Sequence, residues 1–328
     1  MERPTHVKPV LTFGEPLVVC VPHSRGSLSL VREFETDAAG AELNTAIGVA
    51  RLGVPVSYAA SVGADPFGEF IRRTLLAEGV NVDHLKQGKK GATGLFFKQW
   101  SGLMGDSQVF YYRSASPMAI GDWDTNQLFQ GLRQSEFGWV HSTGITWMIG
   151  EKTREQAITL LHTAYDSQIP ISFDVNLRLK LADLSAWKQT IGDLVPYVTW
   201  LLLGDTEAEA LYGTSDARVV EEYVRGQGFR GAGVVLKEGA RGATASQNGQ
   251  VAHVDALQVH QIIDTVGAGD GFNAGWIAGM VNGWEIERAL YLGAVVGAYA
   301  IASAGDSSGY PMLEEAMNHL DGRETIAR

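Results

Sequence analysis

Short apolar runs alternate along this chain with longer segments whose apolar positions recur at helical spacing, and that alternation restricts the possible folds more than any other feature. VLTFGEPLVVCVP (10–22) reads as a strand broken at Gly14, and polar, turn-rich sequence follows as far as Asp37. Over 38–63 the period changes: Leu43, Ile47 and Ala50 share one helical face, Gly53 stops the helix, and VSYAASVG restarts as a strand. DPFGEFIRRTLLAEGV (65–80) predicts a second amphipathic helix, with Phe70, Leu75 and Leu76 inward and Gly79 as its stop. Strand, helix, strand, helix is the signature of a parallel sheet with crossover helices.

Residues 92–113 interrupt that rhythm. TGLFFKQW and SQVFYYR are aromatic-rich and strand-like, and SGLMGD between them is turn-forming, which predicts a hairpin. The βα rhythm resumes with strands in FGWVHSTG, PISFDVN and VTWLLLG, and helices near 151–167 and 184–195. A hairpin is expected around TASQNGQVAHVDA, with Asn248-Gly249 as its turn. The end is helical from about 269 to 302 with breaks, then a Gly/Ser loop, Pro311 and a terminal helix. Together these segments describe one α/β core with a small β insertion.

Composition removes several classes of protein. Apolar residues make up 45% of the 328, ample for a sizeable core and incompatible with intrinsic disorder. Cys20 is the single cysteine, which excludes an intramolecular disulfide framework and a Cys-rich zinc site. No apolar run of about 18 residues occurs, and MERPTHVKPV lacks the apolar centre of a secretory signal, so the expected location is the cytosol. A net charge of −11 without basic blocks argues against binding nucleic acid or a membrane surface. Glycine is the outlier: 39 residues, against about 7% in an average chain.

The informative stretch is IIDTVGAGDGFNAGWIAGM (262–280). Apolar Ile262-Ile263 leads into Asp264-Thr265, then Gly267-Ala268-Gly269-Asp270, then a helix. Glycines at a strand-to-helix turn let backbone N–H groups converge, and the helix N-terminus adds partial positive charge, which makes an anion site. Asp270 lies at its mouth, where a carboxylate suits the role of general base toward a hydroxyl attacking a phosphoryl group. On local physics alone the run reads equally well as an ordinary helix start with a first-turn acid. A dinucleotide loop fits less well, because Phe272 stands where the third glycine of G-x-G-x-x-G belongs, and no Walker A loop occurs anywhere.

DTVGAGDGFNAG resembles the C-terminal signature of the ribokinase-like (PfkB-type) carbohydrate kinases, and AGAELNTAIGVARLG (39–53) followed by SVGADPFG (61–68) resembles their N-terminal glycine signature. The resemblance covers essentially the whole chain. It implies a three-layer α/β/α sandwich with a mainly parallel sheet and a small β-sheet lid over the sugar. The core would take 1–13, 39–91 and 114–328, and the lid 14–38 and 92–113. GEPLV (14–18), TGLFFKQW, VFYYRSAS (109–116), FDVNLR (173–178) and LLLGDTEAEALYG (201–213) are together most similar to the 2-keto-3-deoxygluconate kinases. A sugar acid brings a carboxylate, which Arg and Tyr donors bind through charge-assisted hydrogen bonds. Without the resemblance, Tyr111 and Tyr112 are equally well plain strand aromatics, and Arg113 and Arg178 surface charges.

Residue by residue, the resemblance implies that Gly40 and Asn44 contact sugar hydroxyls, and that Tyr111, Arg113 and Arg178 hold the acid and keto end. Phe96 stands where some relatives carry a lid tyrosine, so any hydroxyl contact there is lost. Asn176 and Lys237 would lie near the nucleotide phosphates, and Gly239 and Gly242 would shape the loop beside ATP. Gly267, Ala268 and Gly269 would form the anion hole, with Asp270 as the base. Many members carry N-x-x-E before the E-A-x-x-L helix; here Gly204 replaces the Asn, while Glu207 keeps a role in organising water around Mg²⁺. Asp264 is expected near the substrate and, with Val266 and the loop around Ser303–Ser308, at a site for a monovalent cation such as K⁺. The implied partners are ATP, Mg²⁺ and a sugar acid, in a homo-oligomer. Alternatives are a fructokinase or other neutral-sugar kinase, a nucleoside kinase of the same fold, a non-catalytic sugar-binding regulator and, from another class, a Rossmann dehydrogenase.

Overall fold

The apolar run that opens the chain divides at Gly14 between two sheets. The computed structural model describes residues 7–100 and 107–322; the turn expected at SGLMGD and the N-terminal residues up to His6 lie outside the described residues. Val10–Phe13 (β1) enters a large sheet, whereas Leu17–Pro22 (β2) pairs with Phe34–Ala39 (β3) in a small one. The helix Ala41–Arg51 (α1) then leads to Val56–Val62 (β4), and Pro66–Ala77 (α2) to Leu85–Gln87 (β5). Gly94–Trp100 (β6) and Ser107–Tyr112 (β7) form the expected hairpin and belong to the small sheet, whose order is β3-β2-β6-β7.

After Asn126–Arg133 (α3) the large sheet is rejoined by Trp139–Thr143 (β8). Gly144–Met148 (α4) and Glu151–Asp166 (α5) lead to Ile171–Asp174 (β9), and Leu184–Leu194 (α6) to Trp200–Gly204 (β10). Asp205–Tyr212 (α7) and Ala217–Gly226 (α8) precede Gly233–Lys237 (β11). The hairpin Ala243–Gln247 (β12) and Gln250–Val254 (β13) turns at Asn248 and Gly249, both at positive φ. Ala268–Val281 (α9), Ile286–Ile301 (α10) and Leu313–Leu320 (α11) complete the chain. The large sheet has nine strands in the order β13-β12-β11-β10-β9-β8-β1-β4-β5, parallel from β11 to β5 and antiparallel at the terminal hairpin.

Strands after β1 extend the sheet one way and those from β8 the other, so β1 and β8 are neighbours from which the chain departs in opposite directions. Open parallel sheets bind ligands outside the carboxyl ends of their strands at such a point. Helix α1 starts there and packs against α9, and nearly all of it is buried, Ala41 through Val49. Small residues permit this. A Cβ on Gly48 would stand 2.5 Å from the Ala274 methyl, and on the other side of α9 one on Gly275 would stand 2.6 Å from the Leu292 carbonyl oxygen of α10. Part of the glycine excess therefore serves close helix packing, a use invisible in turn chemistry.

Two local expectations are corrected. Leu76 points outward, 55% exposed, and Ile71 fills the inward position of α2 instead, because the apolar arc of that helix is narrower than its count of apolar residues. Ile262 and Ile263 form no strand; residues 255–265 carry no ladder, and both side chains are exposed. The sheet has already ended in the β12–β13 hairpin, so this segment has no strand to pair with. The Ile263 N–H instead donates to the Ile301 carbonyl at 2.8 Å.

Candidate active site

A cleft of about 580 Å³ runs between the carboxyl ends of the large sheet and the inner face of the small one. Its floor is the start of α9. Gly267 caps that helix at φ +82°, and a Cβ there would run into the Asp306 carbonyl, so only glycine allows the two segments to meet. The Tyr310 hydroxyl donates to the Gly267 carbonyl at 2.6 Å and pins the turn. Gly269 and Asp270 line the cleft, whereas Ala268 lies in the same turn without lining it. The first-turn amides of a helix lack intrahelical partners, an arrangement that favours an anion there.

Asp270 Oδ2 accepts a 2.8 Å hydrogen bond from Asn44 Nδ2, and the Thr45 hydroxyl donates to the Asp270 carbonyl at 3.3 Å. Burial pushes the Asp270 carboxyl up to about 7, with the Asn44 donor opposing and the Asp174 charge adding to the shift. Part of its surface still opens to the cleft. Asn44 Oδ1 is buried without a hydrogen-bond partner among the described residues. One amide thus holds the carboxylate with its nitrogen and keeps its oxygen for a donor arriving in the cleft. Gly40, at φ +138°, brings the backbone to the cleft directly ahead of α1.

The small sheet supplies the opposite wall. Phe96 and Tyr111 are cross-strand partners with ring centroids 5.4 Å apart, and both line the cleft. Arg113, just past β7, is ion-paired with Glu15, which is 3% exposed and also accepts from the Ser116 hydroxyl. Burial raises the Glu15 carboxyl, against the Arg113 charge. Arg178 differs: it is exposed, its Nη1 donates to its own neighbour's carbonyl, Leu177 O, at 3.0 Å, and no carboxylate pairs with it among the described residues. Glu42 lies beneath. Its Oε1 accepts from the Thr143 amide and from the Thr143 and Thr146 hydroxyls at 3.0, 2.8 and 2.7 Å, and burial raises the carboxyl to about 6.

At the far end of the cleft, β9 and β11 deliver Asp174 and Lys237 side by side. Lys237 Nζ meets Asp174 Oδ2 at 2.7 Å, and Asn273 Nδ2 donates to the same oxygen at 2.7 Å. Asp174 Oδ1 is buried and unpartnered among the described residues. Asn176 adopts φ +44° and is 7% exposed, facing the cleft. Glu207 accepts from the Leu177 amide at 2.7 Å and the Gly204 amide at 2.8 Å, and burial with the Asp174 charge raises its carboxyl. Gly239 lines the cleft; Gly242 shapes the turn into β12 and does not. Among the described residues no group of three or more His, Cys, Asp or Glu side chains is assembled as a metal cage.

Asp264 is placed differently from expectation. It does not line the cleft: Oδ2 meets Lys98 Nζ at 3.0 Å and Oδ1 accepts from the Val266 amide at 3.1 Å. Both oxygens are engaged within the protein. Lys98, Asp306, Asp174, Asn273, Glu15 and Glu42 are the polar residues that sequence reasoning missed. The clearest signal was the two-residue period of TGLFFKQW, which puts Lys98 on the face of Phe96.

The pattern of the pfkB family carbohydrate kinases matches residues 8–313. The chain belongs to that family. This kinase is 32% identical over 322 residues to a 2-dehydro-3-deoxygluconokinase of Bacillus subtilis (strain 168), covering 96% of each chain. It is 31% identical over 311 residues to a 2-dehydro-3-deoxygluconokinase of Thermoproteus tenax, covering 94% of this chain and 92% of the other. A solved structure of a putative ribokinase II from E. coli in complex with ATP and Mg²⁺ superposes with a TM-score of 0.84 at 23% identity, covering 96% of this chain and all of the other. The fold is the ribokinase-like α/β sandwich, and the activity is phosphoryl transfer to an alcohol group. No described helix is long and apolar enough to cross a membrane.

Proposed function

We propose that this kinase transfers the γ-phosphoryl group of ATP to the terminal hydroxyl of 2-keto-3-deoxy-D-gluconate, giving the 6-phosphate. The observation that carries the reading is Asp270, held by Asn44 at the first turn of α9 with a carboxyl raised to about 7, facing a cleft whose wall holds Tyr111, Arg113 and Arg178. The B. subtilis and T. tenax relatives carry the matching name.

In this reading the small sheet is a lid, and the sugar lies between it and α1. Arg178, free of an acidic partner among the described residues, takes the substrate carboxylate, while Arg113 is already balanced by Glu15 and orients the keto end. Asn44 Oδ1 accepts from a sugar hydroxyl. Asp270 takes the proton of the attacking hydroxyl as that oxygen bonds to the γ-phosphorus and the bond to ADP breaks. The amides of Gly267 through Gly269 receive the developing charge, and Lys237 neutralises the phosphates. Asp174 Oδ1, buried and lacking a donor, together with Glu207 fits a hydrated Mg²⁺, an ion that proteins hold through one or two carboxylates plus substrate phosphates. When bound, Mg²⁺ supplies charge compensation on the phosphates. Among the described residues β7 is an edge strand of the small sheet, and its Tyr112 is 66% exposed, which supports a homo-oligomer joined through the small sheets.

The test is ADP release with ATP and Mg²⁺ over a panel of ketodeoxy sugar acids, fructose, ribose and adenosine. The reading requires the highest kcat/KM on a ketodeoxy sugar acid. A preference for fructose would replace it with the neutral-sugar kinase.

A further inference from the structure

Lys98 is 1% exposed, yet it projects from β6 of the small sheet into the rim of the large domain. Its ammonium lies 3.0 Å from Asp264 Oδ2 and 2.7 Å from Asp306 Oδ1, residues 166 and 208 positions away in sequence. Both acids belong to the walls of the anion hole. Asp264 holds the Val266 amide and so shapes the approach to Gly267, and the Asp306 carbonyl lies directly against Gly267. Burial pulls an ammonium down, but here the two carboxylates outweigh it and Lys98 is held charged.

The family resemblance placed a monovalent cation at this spot, among Asp264, Val266 and the loop around Ser303–Ser308. The residues present do not fit one. Each Asp264 oxygen already has a donor. Nearby, the carbonyls of Ser307, Ser308 and Tyr310 accept from a single guanidinium nitrogen, Arg51 Nη1, at 2.9, 3.1 and 2.9 Å. An incoming cation would meet an ammonium between the acids and an arginine on three of the nearby carbonyls.

We infer that the Lys98 ammonium is a resident cation that holds the anion hole in shape, so that this kinase turns over without an exchangeable monovalent cation. A lysine ammonium is a compact point charge with three donors, and tethered to β6 it cannot diffuse away. Deleting it would leave two buried carboxylates facing each other, the arrangement that most demands a replacement cation. Lys98 is a positioning residue: it lines the cleft, but its ammonium is turned to Asp264 and Asp306, and it acts through the turn that carries Gly267. The inference needs only the kinase reaction, not the identity of the sugar.

The experiment assays the full-length kinase on its best sugar with tetramethylammonium as the only monovalent cation, then adds K⁺ or NH₄⁺ up to physiological levels. Wild type should show the same rate throughout. Lys98→Ala should lose about 100-fold in kcat, as expected for a misplaced catalytic turn, with a much smaller change in sugar KM, and should regain most of that loss on adding K⁺ or NH₄⁺. Without turnover, K⁺ should raise the melting temperature of Lys98→Ala and leave wild type unmoved. Activation of wild type by K⁺ would overturn the inference, and that arm stands even if the variant does not fold. A variant that is impaired yet indifferent to K⁺ and NH₄⁺ would also overturn it, reducing Lys98 to a structural brace. A sugar other than the proposed one leaves all these readouts intact.

Discussion

Asn44 Nδ2 and Asp270 Oδ2 meet at 2.8 Å across 226 residues of sequence, joining the first turn of α1 to the first turn of α9. With Asp270 as the base, Asp270→Asn should lower kcat by about 10²–10⁴ while the sugar KM moves far less, because the amide keeps the shape of the site. Steady-state kinetics with sugar affinity measured by calorimetry checks both halves. Near wild-type turnover would refute the assignment.

The raised carboxyl of Asp270 sets a pH dependence of definite sign. A base works when deprotonated, so kcat/KM should climb about tenfold per pH unit below the inflection and level off above about 7. Asn44 favours the charged form, so Asn44→Ala should move that inflection to higher pH. Stability runs the other way. The folded value lies above the ordinary 3.8, so Asp270 binds its proton more tightly folded than unfolded, and its contribution declines as pH rises from the ordinary value through about 7. Asp270→Asn should therefore melt higher than wild type at pH 8, with the gap closing toward pH 4, as followed by thermal denaturation.

Arg113 and Arg178 should part company on substitution. Arg178→Ala should raise KM for the sugar acid by about tenfold or more, the scale of a lost charge-assisted bond, and leave a neutral ketose little affected. Arg113→Ala strands Glu15, which is 3% exposed, and should cost about 3 kcal/mol of stability. Pairing it with Glu15→Gln should recover much of that loss, since the buried charge is gone. Denaturant unfolding of the single and double variants separates these outcomes; equal KM effects on acid and neutral sugars would remove the carboxylate role from Arg178.

Glu207 stands beside Asp174 at the nucleotide end, its oxygens committed to the Leu177 and Gly204 amides. Glu207→Gln can keep only one of those acceptor contacts and removes a charge. The half-saturating Mg²⁺ concentration should rise by about tenfold, the usual effect of altering groups around a metal, with sugar KM unchanged. A Mg²⁺ titration at saturating ATP measures it.

The alternation of strands and helices, the β6–β7 hairpin, the Asn248-Gly249 turn and the glycines around Asp270 were all legible in sequence, because each depends on residues close together in the chain: period, turn chemistry and the needs of a helix start. Ile262-Ile263 misled because apolar composition does not reveal whether a sheet still has a free edge. Leu76 misled because helical spacing does not show how wide a face the neighbours will cover. What the sequence alone determined is the family and the two local turns that carry Asn44 and Asp270, since GAGD and AGAELN each encode a local geometry. Only the tertiary structure decided how those groups are charged and paired. Glu15 balances Arg113, Asp174 holds Lys237, and Lys98 reaches from the small sheet to Asp264 and Asp306. Each of these pairs is set by burial and by contacts across distant segments, and Coulomb energy in a desolvated site depends on separation in space, which no spacing along the chain records.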